Sequence, residues 1–175
     1  MHSIAKFYKV SFEQYKKDRL SALDINSTPS LNEELLFKEY ESIKLPTRAT
    51  AGSAGYDFYL PSDILIKQGQ NILVPTGIRA EIEAGWVLLL FPRSGLGFKY
   101  GLRFLNTTGI IDSDYYFADN EGHIMAKLRA ETKEDLVLHA QDRFMQGVFM
   151  PFGITKDDEP LTTKRTGGFG STGNK

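Results

Sequence analysis

Apolar and polar residues alternate along IAKFYKV near the start of the chain, which predicts a strand within residues 1–10. The pattern then lengthens. In SFEQYKKDRL, Ser11 is a candidate N-cap with Gln14 three positions on, in the manner of a capping box, so a helix is expected over about residues 11–22. NSTPS reads as a loop. LNEELLFKEYESI then sets Leu31, Leu35, Leu36 and Tyr40 near helical spacing and predicts a second short helix. Beyond Lys44 the texture changes. KLPTRATAGSAGYDFYLPSD is broken by proline and glycine, and NILVPTGIRAEI, GWVLLLFP, LRFLNTTGIID, HIMAKLRAE, DLVLHA and MQGVFMPFGIT follow at short intervals with turn residues between them. Such spacing predicts an all-β sandwich or barrel, and places the helices of about residues 11–42 as an insertion after the first strand. KDDEPLTTK is polar and proline-marked and reads as a linker. The expected division is a β domain over residues 1–156, with a linker and loose arm over 157–175.

Composition narrows the chemistry. At 175 residues with 41% hydrophobic content, one domain with an appendage can build a real core. A formal net charge of -1 argues against general nucleic-acid or membrane-surface binding, so an anionic ligand must be met by a few local arginines or lysines, or by a metal. The absence of cysteine excludes disulfides, thiolate zinc sites and cysteine catalysis, and His2, His123 and His139 show no metal-ligand spacing. MHSIAKFYKV has no signal-peptide layout and no apolar run is long enough to span a bilayer, so a cytoplasmic protein is expected.

Three stretches carry candidate chemistry. In FPRSGLGFKYGL an apolar strand stops where Arg93 and Ser94 stand, a guanidinium fork and a hydroxyl with backbone N–H groups beside them. These suit a phosphate, although a turn with a solvated arginine gives the same letters. In NTTGIIDSDYYFADNEGH, Asn106 offers an amide able to read a base edge, and Gly109 permits close backbone approach or an unusual φ. Asp112 and Asp114 lie two apart, on one face if the segment is extended, and one could act as general base on water. An acidic turn would look the same. Finally, RTGGFGSTGNK places Arg165, Phe169, Ser171 and Thr172 among four glycines. It is not a Walker loop, since it has no Gly-Lys-Ser/Thr and no following helix, but an arginine, a stacking ring and hydroxyls make a sensible nucleotide lid.

In order along the chain, these pieces resemble the trimeric deoxyuridine triphosphatase (dUTP pyrophosphatase) family over roughly residues 43–175. AGSAGYDFY, PRSGLGFKYGL, NTTGIIDSDY, QDRFMQGVF and RTGGFGSTG are similar to the family's five motifs. The resemblance implies a distorted jelly-roll barrel of β-clip type, a homotrimer with composite sites, and Mg²⁺-assisted hydrolysis of dUTP to dUMP and pyrophosphate. It implies Asp112 as the base that activates water, Tyr115 as the ring under the deoxyribose, and Asn106 at the uracil edge within a tight hairpin. Arg93, Ser94 and Gln146 match residues that hold phosphate. Asp57 matches an aspartate that reaches the metal through water. Arg165, Ser171 and Thr172 match the grip on the γ-phosphate, and Phe169 the ring stacked over uracil. Gly95, Gly109, Ile111 and Gly170 fall inside the same motifs and join the substrate-binding set.

The chain departs from the family pattern at several points. Gly95 stands where a second serine is common, Gln141 where motif four usually begins with glycine, and Thr166 where glycine usually follows the arginine. Tyr116 to Gly122 lengthens the segment after motif three; it could lie beside the site, and the plainer expectation is a loop that projects from the trimer. The helical insertion is expected to pack on the barrel edge as a decoration. Two other functions share these features: deamination of dCTP on the same fold, and a regulatory binding role with a protein partner. If the arm is a lid, a chain ending at Glu159 stays folded and trimeric while turnover of dUTP falls badly; full activity of that truncation would refute the lid.

Overall fold

A computed structural model describes residues 2–26 and 31–159. The predicted first strand is β1 (Ala5–Lys9), antiparallel to β6 (Ile78–Ile82). The insertion follows at once as α1 (Phe12–Ile25) and α2 (Glu33–Glu41), so α1 runs three residues past the expected end. Ser11 caps α1 by accepting from the Gln14 N–H, and Asn32 caps α2 by accepting from the Leu35 N–H. The remaining strands are β2 (Thr47–Arg48), β3 (Tyr56–Tyr59), β4 (Ile64–Ile66), β5 (Asn71–Pro75), β7 (Trp86–Pro92), β8 (Arg103–Phe104), β9 (Gly109–Ile111), β10 (Met125–Arg129), β11 (Leu136–Leu138) and β12 (Arg143–Pro151).

These strands form four short sheets among the described residues, ordered β1–β6, β5–β10–β8, β11–β4 and β2–β3–β12–β7–β9. The sheets are not closed by hydrogen bonds into one barrel; they wrap a single core. Leu88 and Leu90 of β7, Ile111 of β9, Phe58 of β3 and Leu128 of β10 meet there, nearly or wholly out of water. Alternation accounts for it: Leu88 and Leu90 point inward, while Val87, Leu89 and Phe91 between them remain partly exposed.

Two segments depart from the expected all-strand reading. Ser94–Tyr100 forms a short helix, α3, and Ser113–Phe117 forms a 3₁₀ helix. Asp112 and Asp114 therefore do not share the face of an extended segment, because the turn begins right after Asp112. The segment after Tyr115 also folds back rather than projecting. Ala118 and Gly122 are buried, and the Asn120 amide donates to the Tyr115 hydroxyl at 2.8 Å; Phe117 stands well out, 77% exposed. The expected tight hairpin is replaced by a turn over 105–108 that joins two sheets, since β8 pairs with β10 and β9 with β7.

The insertion packs on the barrel edge as expected. Tyr15, Ala22 and Leu23 of α1 and Leu36 of α2 are buried. The Asn26 amide both donates to and accepts from the Leu73 backbone at 2.9 Å, covering the free edge of β5. Between the helices, Arg19 binds both oxygens of Glu39 at 2.6 and 3.3 Å and reaches Ser62 Oγ at 2.8 Å, and the Tyr15 hydroxyl donates to Glu39. Burial, and then the Glu39 charge, push the Tyr15 phenol well above its ordinary range. Removing one member leaves its partner charged and out of water. Glu39→Ala should lower the unfolding free energy by about 3 kcal/mol, read from urea denaturation at fixed protein concentration. An unchanged midpoint would mean the helices do not contribute to the cooperative unit.

Candidate functional site

Registry places the first group of site residues side by side. Across the large sheet, Asp57 of β3 lies opposite Gln146 of β12, and Gln146 opposite Phe91 of β7. Two residues beyond Phe91 the strand ends and Arg93 becomes the N-cap of α3, with Ser94 and Gly95 exposed in its first turn. The Arg93 Nε lies 3.3 Å from Asp57 Oδ1, and Arg143 donates to Asp57 Oδ2 at 3.1 Å. Asp57 is only 6% exposed, while both arginines keep part of their surface in water. Two guanidinium groups against one carboxylate leave this end of the sheet positive. The carboxylate holds both forks in place, and their remaining N–H groups stay available to an anion.

Gly55 fits the same cluster. A Cβ at this position would stand 2.7 Å from Gln146 Oε1, so the glycine allows the amide to lie against the loop. Arg143 was not singled out in the sequence, although it stands within QDRFMQG. Its signal is a charged residue opening an otherwise apolar strand.

The second group runs along β9 and the turns at its ends. Asn106 is exposed in the turn before β9, and its carbonyl accepts from the Thr108 N–H at 2.7 Å. Gly109 is buried against Leu90, where a Cβ would come within 3.0 Å of that side chain, and Ile111 is a core residue, 1% exposed. These two therefore offer a ligand no side chain, and the outward position between them belongs to Ile110. Asp112 follows, exposed at the start of the 3₁₀ helix. Tyr115 is buried beneath it, with its hydroxyl donating to the His123 carbonyl at 2.8 Å. Arg165, Phe169, Gly170, Ser171 and Thr172 lie outside the described residues.

Asp112 and the Arg93 cluster sit at opposite ends of one ladder, while Asn106 lies at the Arg93 end. β7 and β9 are antiparallel, with Leu88 opposite Ile111 and Leu90 opposite Gly109. Asp112 thus continues past Leu88 toward the start of β7, whereas Arg93 lies beyond its end. At about 3.3 Å per residue the six steps between them span roughly 20 Å. One copy of the chain does not bring Asp112 to the Arg93 cluster.

The residues 41–173 match the family model described as dUTPase. The chain belongs to the dUTPase family. It is 44% identical over 133 residues to a deoxyuridine 5'-triphosphate nucleotidohydrolase of Lactococcus lactis subsp. lactis (strain IL1403), covering 75% of this chain and 89% of that one. A second such enzyme, from Nautilia profundicola, is 38% identical over 147 residues, covering 82% of this chain and 94% of that one. Among solved structures, the dUTPase from Streptococcus mutans superposes with a TM-score of 0.61 at 45% identity, over 66% of this chain and 91% of that one. A point mutant of the dUTPase of phage phi11 of S. aureus shares the fold at 19% identity and a TM-score of 0.57, over 70% of this chain and 92% of that one. That phage structure is described as revealing the coordination of a structural Mg(II) ion. The dUTPase model begins at residue 41, so nearly all of the α1–α2 insertion precedes the matched region.

The Asp57 trio can be tested without any nucleotide. Asp57→Ala leaves two guanidinium groups facing each other and, because both reach water, should cost about 1.5 kcal/mol of stability. Inorganic phosphate should recover part of that loss by taking the carboxylate's place. An unchanged unfolding midpoint would mean other contacts hold the arginines.

Proposed function

We propose that this chain hydrolyses dUTP to dUMP and pyrophosphate in sites shared between copies of a homotrimer. The observation that carries the reading is the relation between the two ends of β7: every family motif within the described residues is present, yet Asp112 and the Arg93 cluster are held apart along one ladder. A second copy is what joins them. Asp112 of one copy then faces Arg93, Ser94 and Gln146 of its neighbour. The outward face of the large sheet supports such a contact. Leu89 is paired with Ile110 and with Val148, and Val87 with Met150, and Ile110 and Met150 are 59% and 46% exposed.

The reaction needs charge neutralisation, a base and discrimination. Arg93 binds the phosphate chain near the bond to be broken, with the Ser94 hydroxyl beside it and Gln146 holding phosphate or the attacking water. Asp112, exposed at the end of β9, takes a proton from water as the water oxygen attacks the α-phosphorus. The bond from that phosphorus to the bridging oxygen breaks, and the oxygen leaves with pyrophosphate. Asn106 and the backbone of its turn meet the uracil edge, the 5-methyl of thymine being excluded by the closeness of the turn. Tyr115 forms the floor under the deoxyribose. The arm brings Arg165, Ser171 and Thr172 to the γ-phosphate and Phe169 over the base, with Gly170 keeping the backbone thin.

Mg²⁺ fits as an ion carried by the triphosphate. No three acidic or histidine side chains converge among the described residues, and both Asp57 oxygens already carry guanidinium groups. Asp57 would therefore reach the ion only through water. Bound there, the ion would neutralise charge on the phosphate oxygens. Among the described residues no helix is long and apolar enough to cross a membrane.

The deciding measurement is pyrophosphate release with Mg²⁺ from dUTP, run beside dTTP, dCTP and UTP, with ammonia followed in the dCTP reaction. Release from dUTP alone is expected; ammonia from dCTP would move the chain to deamination. Asp112→Asn should keep nucleotide affinity and lose turnover by a factor of about 10² or more. Turnover that survives intact in this variant would remove Asp112 from the role of base.

A further inference from the structure

The insertion holds the segment after Tyr115 through charged and polar contacts, on the protein's own side of the site. Ser11, just before α1, donates from its backbone N–H to Glu121 Oε2 at 2.8 Å and from its hydroxyl to Glu121 Oε1 at 2.6 Å. Further along α1, Asp18 Oδ2 lies 2.6 Å from His123 Nδ1. His123 is wholly buried, and its Nε2 accepts from the Gly77 N–H at 2.8 Å. A backbone N–H can only donate, so Nε2 carries no proton and the ring's hydrogen is on Nδ1, directed at Asp18. Gln14 donates to the same Asp18 oxygen at 2.7 Å. Burial pushes the Asp18 carboxyl up, but the hydrogen bonds from His123 and Gln14, joined by nearby positive charge such as Lys17, hold the group below its ordinary value.

The other face of this arrangement is the candidate sugar platform. The His123 carbonyl accepts the Tyr115 hydroxyl, the Asn120 amide donates to that same hydroxyl, and the Tyr115 N–H donates to the Asp112 carbonyl at 3.2 Å. Asp18 thus fixes the ring of the residue whose carbonyl anchors Tyr115. A helix serving as surface decoration has no need to place a carboxylate on a fully buried imidazole at this position.

We propose that Asp18 is a positioning residue: acting through His123, it sets where Tyr115 stands under the deoxyribose, and the helical insertion is the part of this chain that carries it there. The inference rests on the reading of Tyr115 given above. It assigns no chemistry to Asp18 itself, which touches no substrate. Its consequence is for selectivity, since a platform that shifts by an ångström admits a 2′-hydroxyl that a fixed one rejects.

The test uses the full-length protein and compares kcat/KM for dUTP and UTP, the affinity for α,β-imido-dUTP, and the melting temperature. Asp18→Ala should narrow the dUTP-to-UTP ratio about tenfold while the protein remains folded. Asp18→Asn keeps an acceptor for the Nδ1 hydrogen and should recover most of the ratio. A folded Asp18→Ala protein with an unchanged ratio, even at a lower melting temperature, overturns the proposal and leaves the helices a stabilising element only. Should Asp18→Ala fail to fold, His123→Gln keeps an acceptor for the Gly77 N–H and removes the ring nitrogen that meets Asp18, and an unchanged ratio there also overturns the proposal. A parent protein that neither cleaves dUTP nor binds the imido analogue defeats the proposed function first, and this inference with it.

Discussion

β7 is hydrogen-bonded along both edges, to β12 on one side and β9 on the other, and this double pairing governs everything the molecule can present. A strand paired on both sides cannot bend its ends together. Its inward residues, Leu88 and Leu90, are fixed in the core, so its register against Gly109 and Ile111 is fixed as well. A slip of one residue would turn Leu89 inward and both leucines out. The distance between the Arg93 end and the Asp112 end is therefore set by strand rise, which is why the proposed reaction calls for a second copy.

The two buried charge clusters answer different demands. Arg19 and Glu39 are both close to fully buried, with Ser62 and the Tyr15 hydroxyl completing their hydrogen bonds. There the charges balance one to one and leave no net charge for an anion. In the Asp57 trio the carboxylate is buried but the two guanidinium groups reach water, and positive charge exceeds negative. A lone arginine pair would repel, and a neutral pair would attract no anion. One carboxylate between two arginines holds the donors in place and still leaves a field for phosphate.

Much of this was legible in the sequence where local patterning decides the outcome. The strands followed from short apolar runs between turns, and the helix start from Ser11. Yet only half of the expected capping box forms. The Gln14 N–H does bind the Ser11 hydroxyl, but the Gln14 side chain turns to Asp18, and the Ser11 N–H is taken by Glu121, 110 residues away. No local rule could name that partner. Arg143 was missed for the same reason: it matters because it reaches Asp57 across the sheet, and spacing along the chain does not reveal a partner 86 residues distant. α3 was hidden by its glycines, which lower helix propensity, although tertiary packing overrides so small a preference over two turns.

Two of the positions that depart from the family pattern join the insertion to the family core. Gln141 stands where the family usually has glycine, and its φ is +70°, so the backbone has kept the glycine conformation without the glycine. Glu121, in the lengthened segment after motif three, sits at +57°. For a residue with a Cβ this region costs about 1–2 kcal/mol. Both side chains then bind the insertion: Glu121 holds Ser11 at its start, and Gln141 donates from Nε2 to the Ser42 carbonyl at its end. Glycine at either place would relax the backbone and lose the contact. The strain is tolerated because each side chain ties one end of the helical segment to a motif that carries site residues, motif three in one case and motif four in the other. An insertion free to move would need neither residue, and the backbone would have no reason to leave its favoured region.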